Sequence, residues 1–344
     1  MTAPELPPSP ASASRRLPGV AEATPPLHPP KVPNPPCVLC GATDWRPHTA
    51  AIEDYLSHEF FDLERCGQCG LVVTTPAPPP DQLGRYYPPR YRVDRQRQTG
   101  GWRTKRRAAM VEKYFPRGFR GRVLDVGCGT GAFALEMQRR GWTVAVTELN
   151  DAVLDEMRTR AMEAKTPDAA LREGFAGGKF DAITAWHVLE HVPNPLELAT
   201  WAKGQLNPNG VFQATVPNLE SWQAVRYGRH WLHLDVPRHL FHFTPATLRT
   251  LLDKAGLNIV DTSTVALEYD VFGVVQSSLN TRCAKPNVLF ERLTNKDAPP
   301  PASGRDVSIS YLQLPVLTVL GLAHTVAAGV AKKGGTLTAT CRAR

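Results

Sequence analysis

The segment VLDVGCGTGAF, residues 123–133, restricts the fold more than any other part of the sequence. It consists of a short apolar run, then three glycines that alternate singly, and it leads into residues 132–140, whose composition favours a helix. A strand that ends in a glycine loop and continues into a helix is the nucleotide-binding unit of doubly wound α/β proteins. The segment therefore predicts an α/β fold.

Strands and helices keep alternating after this unit. Residues 143–149 are predicted as a second strand whose end carries Glu148, 17 residues after Gly131, and an acid at this place accepts hydrogen bonds from ribose hydroxyls. Asn194 and Pro195 begin a later helix as its cap and first residue. The other predicted elements are helices over 150–165 and 244–256, a weak strand over 169–172, and strands over 180–185, 211–216 and 257–265. Such alternation indicates a parallel sheet covered on both faces.

The spacing of the glycines distinguishes between cofactors. Dinucleotide sites prefer G-x-G-x-x-G, whereas residues 125–131 read D-x-G-x-G-x-G, which resembles the motif of class I S-adenosylmethionine-dependent methyltransferases. FDAITAWHVLEHVPNP, residues 180–195, resembles the segment after strand 4 in the ubiquinone-biosynthesis-like group, and LNPNGVFQATVPN, residues 206–218, resembles that group's turn into strand 5. The resemblance covers about residues 121–265. It implies a Rossmann-like, seven-stranded, mostly parallel sheet whose last strand, within residues 335–344, is antiparallel.

The resemblance also implies a set of cofactor-binding residues. The glycine loop would bring its backbone close to the methionine part of S-adenosylmethionine, Asp125 would meet the ammonium group and Glu148 the ribose. Trp186 and His187 would line the pocket after strand 4. The full predicted set is Asp125, Gly127, Cys128, Gly129, Gly131, Glu148, Trp186 and His187. The simpler alternatives are a tight turn without a ligand and, for Trp186 and His187, ordinary packing.

A histidine-rich segment is the candidate source of a catalytic base. Residues 229–244, RHWLHLDVPRHLFHFT, are rich in aromatic and titratable side chains, and they resemble a W-x-x-L-D-x-P-R-H-x-x-H-F-T segment in relatives of the same group. His239 is the predicted base and His191 a second candidate; the alternative is that these histidines only brace the loop. Some ubiquinone-type members carry an acid-rich version of the strand-4 segment that is associated with a divalent metal, and His187 replaces one of those acids.

Four of the seven cysteines form two pairs. Cys37 and Cys40, and Cys66 and Cys69, are each separated by two residues, and each pair is followed by glycine. Two such pairs can supply a tetrahedral thiolate cage, in which the glycine allows a tight turn around the metal. The spacing predicts a small structural zinc ribbon over residues 37–75. Iron in the same cage, two disulfides and a redox pair are the alternatives.

Charge and proline are concentrated in separate parts of the chain. The first 36 residues contain 12 prolines and are predicted to be disordered, without a secretory signal, so a cytoplasmic location is the default. Residues 85–122 hold 13 Lys and Arg against two acids, a charge of +11 in a chain of +8, so the remainder sums to −3. This stretch is interpreted as a solvated helical face, or else as a contact for anionic lipid, nucleic acid or a phosphorylated substrate.

We therefore divide the chain into six parts. They are a proline-rich tail (1–36), the ribbon (37–75), a basic linker (76–120), the core (121–266), an insertion with an apolar helix (267–333) and the last core strand (334–344). Residues 307–330 are apolar enough to suggest a helix that packs on the core or lies in a membrane interface.

The predicted function is methyl transfer from S-adenosylmethionine, by default to oxygen, on a small-molecule, amphiphilic or lipid-linked acceptor. A peripheral membrane contact would favour the lipid-linked class. Two alternatives remain. Some sugar C-methyltransferases also begin with paired Cys-x-x-Cys motifs, and the ribbon with the basic stretch could bind nucleic acid, although residues 180–195 lack the Asn-Pro-Pro-Tyr type of motif found in base-methylating enzymes.

Overall fold

The computed structural model describes residue 29 and residues 32–88, 101–294 and 303–344. The predicted disordered tail lies almost wholly outside the described residues, as do residues 89–100 of the basic stretch. The elements of the N-terminal part are strands β1 (Trp45–Glu53), β2 (Phe60–Cys66) and β3 (Val72–Thr75), a short 3-10 turn (Leu83–Tyr86) and helix α1 (Trp102–Glu112).

The central part of the chain alternates between strands and helices. Its elements are β4 (Arg122–Val126), α2 (Ala132–Arg139), β5 (Thr143–Thr147), α3 (Asp151–Thr159), β6 (Glu163–Lys165), α4 (Pro167–Glu173), β7 (Phe180–Trp186), α5 (Pro195–Gly204), β8 (Leu206–Pro217), α6 (Trp222–Tyr227), two 3-10 turns (Gly228–His230 and Leu232–Leu234), β9 (Phe241–His242), α7 (Pro245–Lys254) and β10 (Leu257–Ser263). The C-terminal elements are α8 (Leu267–Asn280), α9 (Val288–Thr294), α10 (Gly304–Val330) and β11 (Thr336–Ala343).

Seven strands form the central sheet in the order β10-β11-β8-β7-β4-β5-β6. β11 is antiparallel to both of its neighbours, while the pairs from β8 to β6 are parallel. Most residues of the middle strands β4 and β7 are buried, as expected when helices cover both faces of a sheet. The predicted Rossmann-like methyltransferase fold, including its antiparallel last strand, is confirmed.

Local signals explain most helix starts. The Asn194 side chain accepts the backbone N–H of Glu197 at 3.2 Å, and Pro195 follows it as the first residue of α5. Thr244 and Thr247 form a reciprocal cap at the start of α7. Each cap satisfies backbone donors that a helix leaves unpaired at its first turn.

Three predictions of secondary structure were wrong. Residues 169–172 lie in α4 and not in a strand, because Thr166 caps that helix and Pro167 starts it, and the third parallel strand is the earlier β6. The helix predicted over 150–165 ends at Thr159. The residues 207–210, expected as a turn, belong to the long strand β8.

The cysteine-bearing unit does not stand apart from the core. Its three antiparallel strands are joined by β9 from the histidine-rich segment, in the order β1-β2-β3-β9. Leu39, Leu71 and Val73 belong to the same continuous cluster of buried residues as Leu124 and Phe180 of the central sheet. The N-terminal sheet is therefore completed by a strand of the core and packed on it.

Helix α10 packs against α8 and α9. Its buried residues Leu317, Gly321, Thr325 and Ala328 form a stripe with helical spacing, and a side chain at Gly321 would come within 3.1 Å of the carbonyl of Val271, so the two helices approach closely. Among the described residues, α10 is long and apolar enough to cross a membrane. The face opposite this stripe lies on the surface of the structure.

Five of the nine basic side chains that the structure describes within residues 85–122 form an ion pair with an acid. Arg85 pairs with Glu59 of the N-terminal sheet, Lys113 with Asp261 at 2.6 Å, and Arg122 with Glu163 at 2.8 Å. Part of the local positive charge of this stretch is thus offset by neighbouring carboxylates.

Candidate active site

The glycine loop lies at the C-terminal edge of the sheet, between β4 and α2. Gly127, Gly129 and Gly131 have φ values of +64°, +57° and +72°, a left-handed conformation that side chains disfavour. A Cβ at Gly127 would lie 2.9 Å from Val188, and one at Gly131 would lie 2.7 Å from the sulfur of Met157. At Gly129, by contrast, a Cβ would meet no described atom within 4 Å. Gly127 and Gly131 thus allow Val188 and Met157 to pack closely against the loop. Gly129 faces open space that can admit a ligand.

Glu148 is held against this loop by backbone donors. Its carboxylate accepts the N–H of Gly129 at 2.8 Å, of Leu149 at 2.8 Å and of Asn150 at 3.2 Å. These bonds fix the carboxylate beside the glycine loop while it remains partly accessible to solvent. Such a preoriented acceptor suits the hydroxyls of a ribose.

Asp125 occupies the end of β4 below the loop. It is almost fully buried, and its carboxylate accepts the hydroxyl hydrogen bond of Thr184 at 2.8 Å. Burial raises its pKa to about 7, although the Thr184 hydrogen bond and the charge of Arg107 act in the opposite direction. A cationic group bound here would restore the charged carboxylate.

An aromatic wall follows β7. The Trp186 ring packs edge-on against Phe133, and the Arg107 guanidinium lies 4.9 Å from the Trp186 ring centre. Tyr269 of α8 accepts a hydrogen bond from Arg107 at 3.1 Å, and its ring centre lies 4.6 Å from that of His187. Within the described residues, the buried indole N–H of Trp186 has no acceptor. The wall therefore offers a ligand a polar donor as well as aromatic surface.

Glu190, His191 and His239 meet next to this wall. The ring centres of His191 and His239 are 4.5 Å apart, and Glu190 Oε1 lies 3.1 Å from His187 Nδ1. One donor atom from each of the three residues lies within 4.8 Å of the others, so the same set could also hold a divalent cation. Burial raises the pKa of Glu190 to about 7. Both residues predicted as catalytic thus lie in one polar cluster.

The hydrogen bonds of the two histidines differ. His239 Nδ1 lies 2.9 Å from the carbonyl of His233, and because a carbonyl only accepts, Nδ1 carries the proton and the neutral ring keeps its lone pair on Nε2. His191 Nδ1 lies 3.0 Å from both the carbonyl of Arg238 and the hydroxyl of Tyr87. Burial lowers the pKa of His239 well below its usual 6.5, and the neighbouring histidines lower it further. The His239 ring is therefore neutral at physiological pH.

The other residues of the histidine loop, as we call residues 229–244, have separate positions. His233 contacts the carbonyl of Tyr269 at 3.4 Å, and His242 is buried against Thr74. His230 lines a cavity of about 250 Å³ between the N-terminal sheet, the histidine loop and the end of α8. Asp235 borders the same cavity, and its carboxylate lies 3.9 Å from His239 Nε2.

The four paired cysteines converge at one point. The sulfurs of Cys37 and Cys69, and those of Cys40 and Cys66, are 3.5 Å apart, and all four lie within 4.8 Å of one another. A tetrahedral Zn²⁺ site with bonds of about 2.3 Å needs sulfur separations slightly under about 4 Å. Gly41 and Gly70 adopt φ values of +76° and +78° after each pair. The cage therefore fits a zinc ion.

Comparison with known proteins agrees with this geometry. A family model described as a methyltransferase domain matches residues 94–262. The ubiquinone biosynthesis O-methyltransferase of Paracidovorax citrulli is 32% identical over 162 residues, which cover 43% of this chain and 67% of that protein. The chain belongs to the S-adenosylmethionine-dependent methyltransferases. Its cofactor is accordingly S-adenosylmethionine.

Further relatives of this methyltransferase carry the same name. The ubiquinone biosynthesis O-methyltransferase of Pasteurella multocida is 30% identical over 161 residues, covering 41% of this chain and 66% of the relative. The chain thus spans about two thirds of the length of these proteins. Among solved structures, a methyltransferase from Archaeoglobus fulgidus aligns with a TM-score of 0.40 at 17% identity, over 69% of this chain and 93% of that one.

Two residues beside the predicted cofactor pocket lie outside the sequence motifs. Arg107 of α1 and Tyr269 of α8 are joined by a hydrogen bond of 3.1 Å. Cys128, in contrast, was predicted. Its backbone N–H bonds the carbonyl of Thr147 at 2.9 Å, while burial raises the pKa of its thiol. The thiol is therefore protonated and is not a thiolate nucleophile.

Proposed function

We propose that this methyltransferase transfers a methyl group to a hydroxyl oxygen of a small-molecule acceptor, with His239 as the base. The observation that carries the proposal is the His191 and His239 pair, whose rings approach to 4.5 Å beside the aromatic wall. Relatives named O-methyltransferases support oxygen as the target atom.

The chain's own residues would bind and align the cofactor, which supplies an activated methyl group on its sulfonium. The Asp125 carboxylate would hold the ammonium group, Glu148 the ribose, and the backbone at Gly129 the methionine part. Trp186 and His187 would border the pocket. Alignment of this kind provides most of the catalysis that an activated methyl donor requires.

Removal of the acceptor proton would fall to His239. Its Nε2 carries the lone pair because the protonated Nδ1 binds the His233 carbonyl. When Nε2 takes the hydroxyl proton, the positive charge on the ring forms 3.9 Å from the Asp235 carboxylate, which stabilises it. His191 would orient the acceptor hydroxyl toward that nitrogen.

We further propose that the acceptor is amphiphilic and that α10 rests on a lipid surface. Leu312, Val316, Val319 and Val330 of its outer face are more than half exposed, and the exposed Trp222 of α6 lies beside His324 of the same helix. Lys332 and Lys333 come two and three residues after the end of the helix, and Lys333 lies 3.7 Å from Glu220. An exposed apolar face with an aromatic side chain and adjoining cations is typical of helices that lie in an anionic membrane interface.

We also propose that the cysteine cage holds one structural zinc ion. With four thiolates in the first coordination sphere, no ligand position remains for catalysis, so the ion would stabilise the ribbon and not take part in methyl transfer.

The proposal can be tested with methyl-labelled S-adenosylmethionine. Purified protein is incubated with a bacterial extract that is separated afterwards into water-soluble small molecules, lipids, sugars and nucleic acids. Label on oxygen in a lipid or small molecule is expected, and label on a sugar carbon or on nucleic acid would overturn the proposal. His239→Asn should reduce labelling at least about 100-fold, whereas His230→Asn, at a histidine of the same loop outside the cluster, should not.

The membrane contact has its own test. The protein should float with vesicles that contain phosphatidylglycerol, and a Leu312→Asp, Val319→Asp variant should stay in solution. If the unaltered chain remains wholly in solution, or forms a dimer that the variant abolishes, the lipid interface is wrong and a second copy covers the helix instead.

A further inference from the structure

We infer that the ribbon is a positioning element of the active site and that Thr74 is the residue through which it sets the place of His239. The inference rests on the proposed role of His239 as the base. It gives the N-terminal sheet a part in the reaction, beyond binding a metal ion.

The contact runs from the ribbon to the backbone of the base itself. Thr74 of β3 is fully buried, and its hydroxyl donates to the carbonyl of His239 at 2.6 Å. The same hydroxyl lies 3.0 Å from His242 Nε2, and the Thr74 N–H donates to the carbonyl of Leu240 at 3.1 Å. One ribbon residue therefore contacts three positions of the histidine loop, one of which is the base.

A second anchor holds the residue before His239. The buried Arg238 guanidinium donates to Asp54 of the ribbon at 2.6 Å and to the carbonyl of Tyr86 at 3.1 Å, and it lies 5.1 Å from the ring centre of Tyr55. All three partners come from the N-terminal part of the chain. His239 is thus fixed between Arg238 and Leu240, two residues that the N-terminal part binds directly.

The physical consequence follows from the precision that proton transfer requires. A base must lie within hydrogen-bond reach of its proton, and a shift of 1 Å can cost about 100-fold in rate. The core binds the His239 side chain through the His233 carbonyl, and it binds the backbone through His239 N–H to the Asp235 carbonyl at 3.0 Å and Leu240 N–H to the Glu190 carbonyl at 2.7 Å. The ribbon supplies the contact to the carbonyl of His239. Loosening the ribbon contact should displace the base without altering the cofactor pocket.

The test uses three variants of the full chain. Thr74→Val removes the hydroxyl and keeps the shape, Thr74→Ser restores the hydroxyl, and Thr49→Val makes the same exchange on β1, away from the histidine loop. Amide hydrogen exchange is measured for residues 236–243, together with S-adenosylhomocysteine affinity and methyl transfer to an alkylcatechol probe. These readouts separate local order, cofactor binding and turnover.

For Thr74→Val we expect about tenfold faster exchange in residues 236–243, a fall of about tenfold or more in kcat with the apparent pKa of the kcat profile displaced, and unchanged cofactor affinity. Thr74→Ser and Thr49→Val should behave like the unaltered chain. Unchanged exchange and kcat in Thr74→Val would overturn the inference, as would a loss of cofactor affinity in step with kcat, which indicates general unfolding.

The outcome also separates this inference from the proposed function. If His239→Asn abolishes transfer while Thr74→Val is fully active, His239 is required but the ribbon does not position it. If His239→Asn itself is active, the proposed base is wrong, whatever the exchange data show.

Discussion

Arg238 and Asp54 form an ion pair in which both side chains are completely buried, with 2.6 Å between Nη2 and Oδ1. Arg238 lies in the histidine loop and Asp54 in the turn after β1, so the pair joins two parts of the chain that are 184 residues apart. Asp54 also accepts the N–H and the hydroxyl of Ser57. The two carboxylates on Arg238, from Asp54 and Asp235, hold the pKa of the guanidinium well above its ordinary value despite burial.

Asp54→Ala is expected to lower the free energy of unfolding by about 3–5 kcal/mol, because it leaves a buried guanidinium with one of its two carboxylates. Urea denaturation followed by tryptophan fluorescence measures this. Asp44→Ala, which breaks the exposed pair with Arg46, should leave the stability almost unchanged, because solvent screens an exposed pair. Equal losses in the two variants would show that burial of the pair is unimportant.

Cofactor affinity should fall as the pH drops below about 7. Burial raises the pKa of Asp125 to about 7, and the carboxylate must be ionised to hold an ammonium group. Below that value each pH unit should weaken binding up to about tenfold, with a proton released on binding. Calorimetry with S-adenosylhomocysteine in buffers of different ionisation enthalpy measures both. Asp125→Asn should bind S-adenosylhomocysteine weakly and without this pH dependence. An affinity of the unaltered chain that does not change with pH would contradict the proposed contact.

Glu148→Ala should weaken S-adenosylhomocysteine binding by about 10- to 100-fold, since hydrogen bonds to a charged carboxylate contribute about 1.5–3 kcal/mol. The matched control is Asp151→Ala, at an exposed acid three residues later in α3. Because Glu148 also accepts the N–H of Gly129, hydrogen exchange of the loop should be checked in parallel. If the affinity is unchanged while the loop stays ordered, Glu148 does not bind the cofactor.

The purified chain should contain one zinc ion, measured by plasma mass spectrometry. Cys66→Ser should abolish zinc binding and lower the midpoint of thermal unfolding, because a structural metal stabilises only the folded cage. Cys128→Ser, at a cysteine outside the cage, should retain the metal. Iron in place of zinc, or full stability of Cys66→Ser, would contradict the proposal.

The sequence predicted the strand, glycine loop and helix of the proposed cofactor site because their signal is local. The glycine spacing and the acid at the end of β5 are read within 25 residues, and the geometry of a strand followed by a helix brings them together. The thiolate cage was predictable for the same reason, since each half is a four-residue motif.

The contacts around His239 could not be predicted in this way. They depend on β9, a strand of two residues that is too short to produce a sequence pattern and that pairs with a distant part of the chain. The burial of Arg238 could not be predicted either, because arginine is usually exposed. Its burial depends on the partners that the fold brings together. Arg107 and Tyr269 reach the site from elements whose sequence suggests only ordinary helices.

The pairing of β3 with β9 also orders events during synthesis. Thr74 and the carbonyl that it binds are separated by 165 residues, so the N-terminal sheet cannot acquire its fourth strand until the ribosome has released the chain beyond His242. The cysteine-bearing unit emerges first, yet it completes its hydrogen bonding late. Until then β3 presents an unpaired edge to other nascent chains or chaperones.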